Sequence, residues 1–457
     1  VIVLLAAYAQ AAGPPIHLAA ERAALFGCRL DRQNGESFIT NFVDPKACAT
    51  WRFRADAGIY EVRIHFSAPM GDKGFGLRVN GEASGGMFKG TPEGVFNSTS
   101  GGRVELVQGE NTLAMERGWG YFSVSGVDLV RTRVSAALTK PPDKLVDPAA
   151  TPAARQLYSR LLQTYGERCL SGQYGLDDAK AILAVTGRAP AILGADFMDY
   201  SPSRIERGTK PVGVTEQVIA AAREGDVVTM SWHWNAPSHL KDTVLKDAAG
   251  HETDARWYKG FYTNATDFDL AQTLDHPESS DYRLLIRDID AISAELKKLT
   301  EANVPVLWRP LHEAEGGWFW WGAKGPGAFK RLWRLMYERM TKVNGLHNLI
   351  WVYSSGTNPA WYPGDAWVDV VGVDAYPSSQ DDPLSTVWDQ LEGQYGGRKI
   401  IALTEFGGVP NIARMRRFGA KWAYFVSWVG TTHPPRTPED RLRSIYRSAF
   451  VDNRHTE

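Results

Sequence analysis

Between residues 16 and 133 apolar and polar positions alternate in short runs broken by glycine turns, as in Tyr60-Glu-Val-Arg-Ile-His-Phe66, Gly76-Leu-Arg-Val79 and Asn111-Thr-Leu-Ala-Met115. Period-2 alternation marks a strand with one buried face. Asn80-Gly81, set between two such runs, is a strong hairpin signal because its left-handed turn matches strand twist. Many short strands without a helical period predict an all-β sandwich or jelly roll. From Ala153 the period changes. Eight apolar runs, Ser171–Tyr174, Pro190–Phe197, Val227–Trp234, Val304–Leu311, Leu349–Tyr353, Val368–Tyr376, Lys399–Glu405 and Tyr424–Val429, are interspersed with helical stretches. The clearest helix is Tyr282–Ala302, where Leu285, Ile289, Ile292, Leu296 and Leu299 share one face. Eight strands over about 300 residues predict one (β/α)8 TIM barrel, an α/β fold. The segment Asn235 to Ser280 is too long for an ordinary connection, and we expect it to wall the cleft. Lys140-Pro-Pro-Asp143 and Asp147-Pro-Ala-Ala-Thr-Pro152 suit neither helix nor ladder. The chain thus reads as multidomain: a sandwich over 16–133, a Pro/Ala-rich linker over 134–152 and a barrel over 153–457.

The first 15 residues read differently. Val-Ile-Val-Leu-Leu-Ala-Ala-Tyr-Ala-Gln-Ala is uncharged and apolar and has an A-x-A site at Ala7-Tyr8-Ala9 or Ala9-Gln10-Ala11, the expected rear of a secretory signal peptide. An extracellular, soluble protein follows, since no other segment approaches the roughly 20 apolar residues of a membrane span. In an oxidising compartment Cys28 and Cys48, both inside the predicted sandwich, are expected to pair, closing a loop worth roughly 3 kcal/mol. Cys169 is left as a small buried hydrophobe.

A formal net charge of -1 leaves no footprint for nucleic acid or an anionic membrane, so a neutral polymer is the better partner for a chain expected to be a monomer. Sixteen tryptophans and seventeen tyrosines supply flat faces suited to sugar rings. Glu313, in Trp-Arg-Pro-Leu-His-Glu, and Glu405, in Ile-Ala-Leu-Thr-Glu-Phe-Gly, both close apolar runs, which places them on the same end of the barrel. Two carboxylates across one cleft are the equipment of a retaining glycosidase, which needs a nucleophile and a proton donor about 5–5.5 Å apart and no cofactor. Glu315 has the same parity as Glu313 on a continuing strand, and residue type alone does not choose between them. Arg309 shares that parity and could bring positive charge to the nucleophile, while Asp374 and Asp196 read as strand-end helix caps. No metal-ligand cluster is present: His312-Glu313 lacks the second histidine of a zinc protease, since Gly316 stands four residues on.

The run Trp308-Arg-Pro-Leu-His-Glu-Ala-Glu-Gly-Gly-Trp-Phe-Trp-Trp-Gly322 resembles the signature of glycoside hydrolase family 26, in clan A, whose best-known members are endo-β-1,4-mannanases. Ser231-Trp-His-Trp-Asn-Ala-Pro237, Val373-Asp-Ala-Tyr-Pro377 and Leu403-Thr-Glu-Phe-Gly407 resemble other parts of that pattern in the same order. The resemblance implies a secreted retaining mannanase acting on mannan, galactomannan or glucomannan, with Glu313 as acid/base, because the family places its acid directly after the histidine, and Glu405 as nucleophile. It further implies that His312 bonds to the acid/base, Trp318 stacks on sugar near the cleavage point, and Tyr376 bonds to the nucleophile. His233 would contact the attacked sugar and Trp428 would floor its subsite. Mixed-linkage β-glucan or β-1,3-xylan as substrate, or a non-catalytic sugar-binding barrel, are the alternatives. Ala20-Glu-Arg-Ala23 and Gly118-Trp-Gly-Tyr-Phe-Ser-Val-Ser-Gly-Val-Asp-Leu129 resemble carbohydrate-binding module family 35. That likeness implies Trp119 as a sugar platform and Glu21 and Asp128 as ligands of a structural calcium.

Overall fold

The computed structural model describes residues 14–33, 35–134, 137–246, 250–433 and 436–454, so the signal-peptide reading of Val1 to Ala11 lies outside the described residues. Two compact units divide the chain: one is built on the N-terminal sandwich and takes in Tyr376–Gly393 and Pro410–Ala420, and the other holds Leu138–Ala375, Gln394–Val409 and the chain from Lys421.

Eleven strands form the sandwich: β1 Ile16–Ala19, β2 Ala24–Phe26, β3 Arg29–Gln33, β4 Glu36–Thr40, β5 Cys48–Ala55, β6 Gly58–Ser67, β7 Lys73–Val79, β8 Glu82–Phe88, β9 Asn97–Leu106, β10 Gly109–Glu116 and β11 Ser123–Arg131. One antiparallel sheet runs β3-β4-β11-β6-β9 with β1 beside β11, and the other runs β2-β5-β10-β7-β8. The alternation in β6 buries Tyr60, Val62, Ile64 and Phe66 while Glu61, Arg63 and His65 face outward. Asn80 (φ 50°) and Gly81 (φ 89°) make the predicted tight turn joining β7 to β8. Phe88 lies between Phe66 and Phe75, each ring 4.3 Å away, at the centre of the core. The expected disulfide is absent: Cys28 and Cys48 are free. Cys28 stands beyond the last β2–β5 pair, Phe26 with Cys48, and its thiol turns onto the Cys48 carbonyl oxygen at 3.2 Å instead of onto the other sulfur. Burial raises the Cys28 pKa, which keeps it a thiol.

In the second unit all eight predicted strands are present and close into a parallel barrel: β12 Gly172–Tyr174, β13 Ile192–Asp196, β14 Val227–Ser231, β15 Val306–Arg309, β16 Leu349–Ser355, β17 Val370–Ala375, β18 Ile400–Phe406 and β19 Phe425–Ser427. Helices pack outside and side chains fill the inside, so these strands read as continuous apolar runs rather than alternating ones. Several ladders stop short of the predicted runs: β14 ends three residues before Trp234 and β15 two before Leu311. The residues beyond leave the ladder for turns at the C-terminal face. The longest barrel helix, α1 Ser280–Glu301, starts where the Ser279 side chain accepts from the Tyr282 N–H and buries Leu285, Ile289, Ile292, Leu296 and Leu299. It stops as Asn303 turns left-handed (φ 57°). The long insertion after β14 forms a hairpin, Thr243–Lys246 with Glu252–Ala255, and short helical turns. It is tied down by the Thr263 N–H donating to the Trp318 carbonyl at 2.8 Å. No described helix is long and apolar enough to cross a membrane.

Ile292 is fully buried on α1, whereas Lys297 on the same helix is exposed. Ile292→Ala should therefore lower the stability of the barrel transition in urea by about 2–5 kcal/mol, and Lys297→Ala should stay within about 0.5 kcal/mol. Equal effects would mean that α1 docks on another face.

Candidate active site

At the C-terminal face of the barrel one cation organises the strand ends. Arg309, the last residue of β15, is completely buried. Its Nη2 bonds to Glu405 Oε1 on β18, its Nη1 reaches Asp374 Oδ2 on β17 at 2.9 Å, and its Nε donates to the Tyr174 hydroxyl on β12 at 3.1 Å. The remaining Asp374 oxygen accepts from Ser354 at 2.8 Å and from Thr404 at 2.7 Å. Glu405 is only 3 % exposed, and a buried carboxylate of this kind is tolerated because a cation and hydrogen bonds meet it. Burial and the neighbouring carboxylates push the Tyr174 hydroxyl up to about 12, against the pull of Arg309, so it stays protonated.

Glu313 stands in a turn beyond the strand rather than on it. Leu311 (φ 55°) and Glu313 (φ 54°) are both left-handed, at a cost of about 1–3 kcal/mol each. The Glu313 N–H donates to the Ser354 carbonyl at 2.8 Å, which fixes the turn against the end of β16. This aims the carboxylate back into the cleft: oxygens of Glu313, Asp374 and Glu405 lie within 4.8 Å of one another. Burial, reinforced by the charge of Asp374, lifts the Glu313 carboxyl to about 7 against the opposing N–H of Trp318, which donates to Glu313 Oε2 at 2.9 Å. Glu315 does not share the cleft, because the strand parity that made it a rival ends with β15; its carboxylate instead accepts from the Asn358 N–H at 3.1 Å.

His233 follows β14. Its Nδ1 meets Asp196 Oδ2 at 2.6 Å, and its own N–H donates to Asp196 Oδ1 at 3.0 Å. Asp196 is thus the anchor of His233 as well as a helical-turn cap, accepting from the Met198 N–H at 2.7 Å. Burial works against both charges, but each partner outweighs it: Asp196 falls to about 2 and His233 rises above the usual imidazole range. His312 is not bonded to Glu313 as the resemblance implied. Its Nε2 lies 3.2 Å from Nε2 of His233, and its Nδ1 has no hydrogen-bond partner. Burial, and the charges of Arg309 and His233, hold its pKa well below the ordinary value.

Trp428, after β19, leans on Tyr174 with ring centroids 4.8 Å apart and stands 5.8 Å from the His233 ring. A cavity of about 470 Å³ opens there, lined by Trp428, His233, Phe261, Tyr262, Met198 and Leu193 among others. Trp318 is 48 % exposed and Tyr376, the residue after β17, 47 %. By contrast Trp234, Trp320, Trp321 and Trp361 are buried beneath loops. The pairings of Asp374 with Arg309, two strands apart, and of Asp196 with His233, on adjacent strands, are not read from the sequence; the available signal was an Asp at a strand end on the same face as the cation.

In the sandwich, Trp119 is 63 % exposed and lies over Gly74, where any Cβ would come within 3.2 Å of the indole. Asp128 does not fit a calcium site: its oxygens are taken by His17 Nδ1 at 2.6 Å and His65 Nε2 at 2.8 Å. Glu21 is bonded to Ser37. Calcium needs six to eight oxygens, and among the described residues only Glu313, Asp374 and Glu405 converge as a group of three.

The model of glycosyl hydrolase family 26 matches residues 146–456, and that of carbohydrate binding module family 35 matches residues 20–132. A mannan endo-1,4-beta-mannosidase of Thermothelomyces thermophilus is 39% identical over 442 residues, 94% of this chain and 88% of that protein. The crystal structure of a Podospora anserina GH26-CBM35 β-(1,4)-mannanase is similar at a TM-score of 0.69 and 39% identity, over 96% of this chain and 97% of that one. A β-mannanase from a symbiotic protist of the termite Reticulitermes speratus, crystallised with a gluco-manno-oligosaccharide, has a TM-score of 0.59 and 30% identity over 69% of this chain and 97% of its own.

Because Glu313 holds its proton up to about pH 7 in the folded state, against an ordinary 4.5, folding takes up a proton across that window and this group's contribution to stability declines as pH rises through it. Glu313→Gln should accordingly raise the melting temperature relative to the parent above pH 7, and the difference should vanish below about pH 4.5. A difference independent of pH would mean that the carboxyl is not shifted.

Proposed function

The chain belongs to glycosyl hydrolase family 26, and from that membership we propose that it is a retaining endo-β-1,4-mannanase that cuts internal bonds of mannan, galactomannan or glucomannan. The observation that carries the mechanism is the separation of at most 4.8 Å between an oxygen of Glu313 and one of Glu405. Retention needs carboxylates this close, whereas inversion needs room for a water between them.

Glu405, kept ionised and oriented by Arg309, attacks the anomeric carbon. Glu313, still protonated near neutrality, gives its proton to the departing glycosidic oxygen, so the leaving chain goes as an alcohol. In the second half Glu313, now a carboxylate, removes a proton from the water that releases the sugar from Glu405, and two inversions give net retention. Trp428 offers an apolar face to the attacked sugar, His233 a cationic N–H beside it, and the adjoining cavity room for the glycone chain. Trp318 does two things in this reading: it packs on sugar and tunes Glu313 through its N–H. Tyr376 would bond the nucleophile, and His312 acts through His233. No cofactor is invoked, nor is calcium. We read residues 16–133 as a polysaccharide-binding module with Trp119 as platform, and 153–457 as the catalytic domain. The protein is read as extracellular, since a polymeric substrate stays outside the cell.

Glu313→Ala should slow mannan cleavage by about 10²–10⁴-fold yet spare kcat/KM on dinitrophenyl β-mannosides, whose leaving group needs no proton, while kcat on them falls because release of the sugar from Glu405 still needs the base. Glu405→Ala should abolish both activities; unchanged turnover would remove the assignment. Reducing ends released from mannan should far exceed those from barley glucan, and the opposite order would move the substrate to mixed-linkage glucan.

A further inference from the structure

Glu313 occupies a backbone conformation that its own side chain does not favour, so something outside the turn must hold it. The strap 311–316 has three ties to the end of β16 and the loop behind it. The Glu313 N–H donates to the Ser354 carbonyl at 2.8 Å, the Glu315 N–H to the Ser355 hydroxyl at 3.0 Å, and Glu315 Oε2 accepts from the Asn358 N–H at 3.1 Å. Only the last uses a charged side chain of the strap. Gly356 makes the seat possible: a Cβ there would stand 1.9 Å from Glu315 Oε2. The Glu315 carboxylate therefore clamps the acid-bearing turn to the β16 loop across a position where any side chain would displace it.

We infer that Glu315 is a positioning residue for Glu313, holding the proton donor over the leaving-group oxygen without touching substrate. This rests on the mannanase reading above. A displacement of about 1 Å in a catalytic group costs about 10²-fold in rate, and only steps in which Glu313 gives or takes a proton should feel it.

The test compares Glu315→Ala, Glu315→Gln and Gly356→Ala on mannan and on a dinitrophenyl β-mannoside. Glu315→Ala should lower kcat/KM on mannan about 10–100-fold and leave kcat/KM on the activated substrate, whose departure needs no proton, close to parent. The basic limb of its pH profile should move to lower pH as Glu313 gains water. Glu315→Gln, whose amide oxygen can still accept from Asn358, should keep most activity. Gly356→Ala should reproduce the Glu315→Ala pattern with the carboxylate present. Equal losses of kcat/KM on both substrates, or a Glu315→Gln as damaged as the alanine variant, would overturn the proposal, as would full activity in Glu315→Ala. A parent enzyme inactive on mannan would instead reject the mannanase reading.

Discussion

A single buried guanidinium, that of Arg309, sets the terms for the rest of the barrel's C-terminal face. It draws Glu405 and Asp374, from two adjacent strands, and Tyr174, from β12 three strands away, onto one fork of N–H groups. Two carboxylates this deep are tolerated because a cation and hydrogen bonds meet their oxygens; removing the guanidinium would leave buried charge uncompensated. The planar fork also fixes direction, which a lysine at the same position could not do. Serine and threonine hydroxyls from β16 and β18 complete the Asp374 oxygens, so Arg309 has little freedom to choose another partner.

Around this rigid centre the second carboxyl is treated in the opposite way. Glu313 has no guanidinium of its own; it sits on a left-handed turn, meets one indole N–H, and is lifted by burial and by the charge of Asp374. One carboxyl thereby meets the guanidinium directly while its neighbour is held as an acid, Asp374 raising it and Arg309 opposing. The histidines follow a parallel scheme: Asp196 keeps His233 cationic, and that charge, with Arg309 and burial, keeps His312 neutral.

Much of this was legible along the chain. Alternation in β6 and the Asn80-Gly81 turn announced a sandwich, and the apolar runs announced all eight barrel strands, because burial on one face or on both leaves a period that needs no partner to be read. Placing Glu313 and Glu405 on one face needed only the rule that strands of a parallel barrel run the same way. What failed were statements about who meets whom at side-chain distance. Cys28 and Cys48 are near neighbours, yet the thiol turned to a carbonyl. His312 found His233 and not Glu313, and Glu315, indistinguishable from Glu313 by parity, left the cleft once the strand ended.

The amino-acid order alone determined the two folds, the end of the barrel on which the acids stand and the residue types available there, because periodicity and chain direction are properties of a local segment. The tertiary structure decided the chemistry of those acids. Residues from β12 to β19, distant in the chain, reach one another only when the barrel closes, and the burial and charge that separate an anion from a protonated acid arise from that closure.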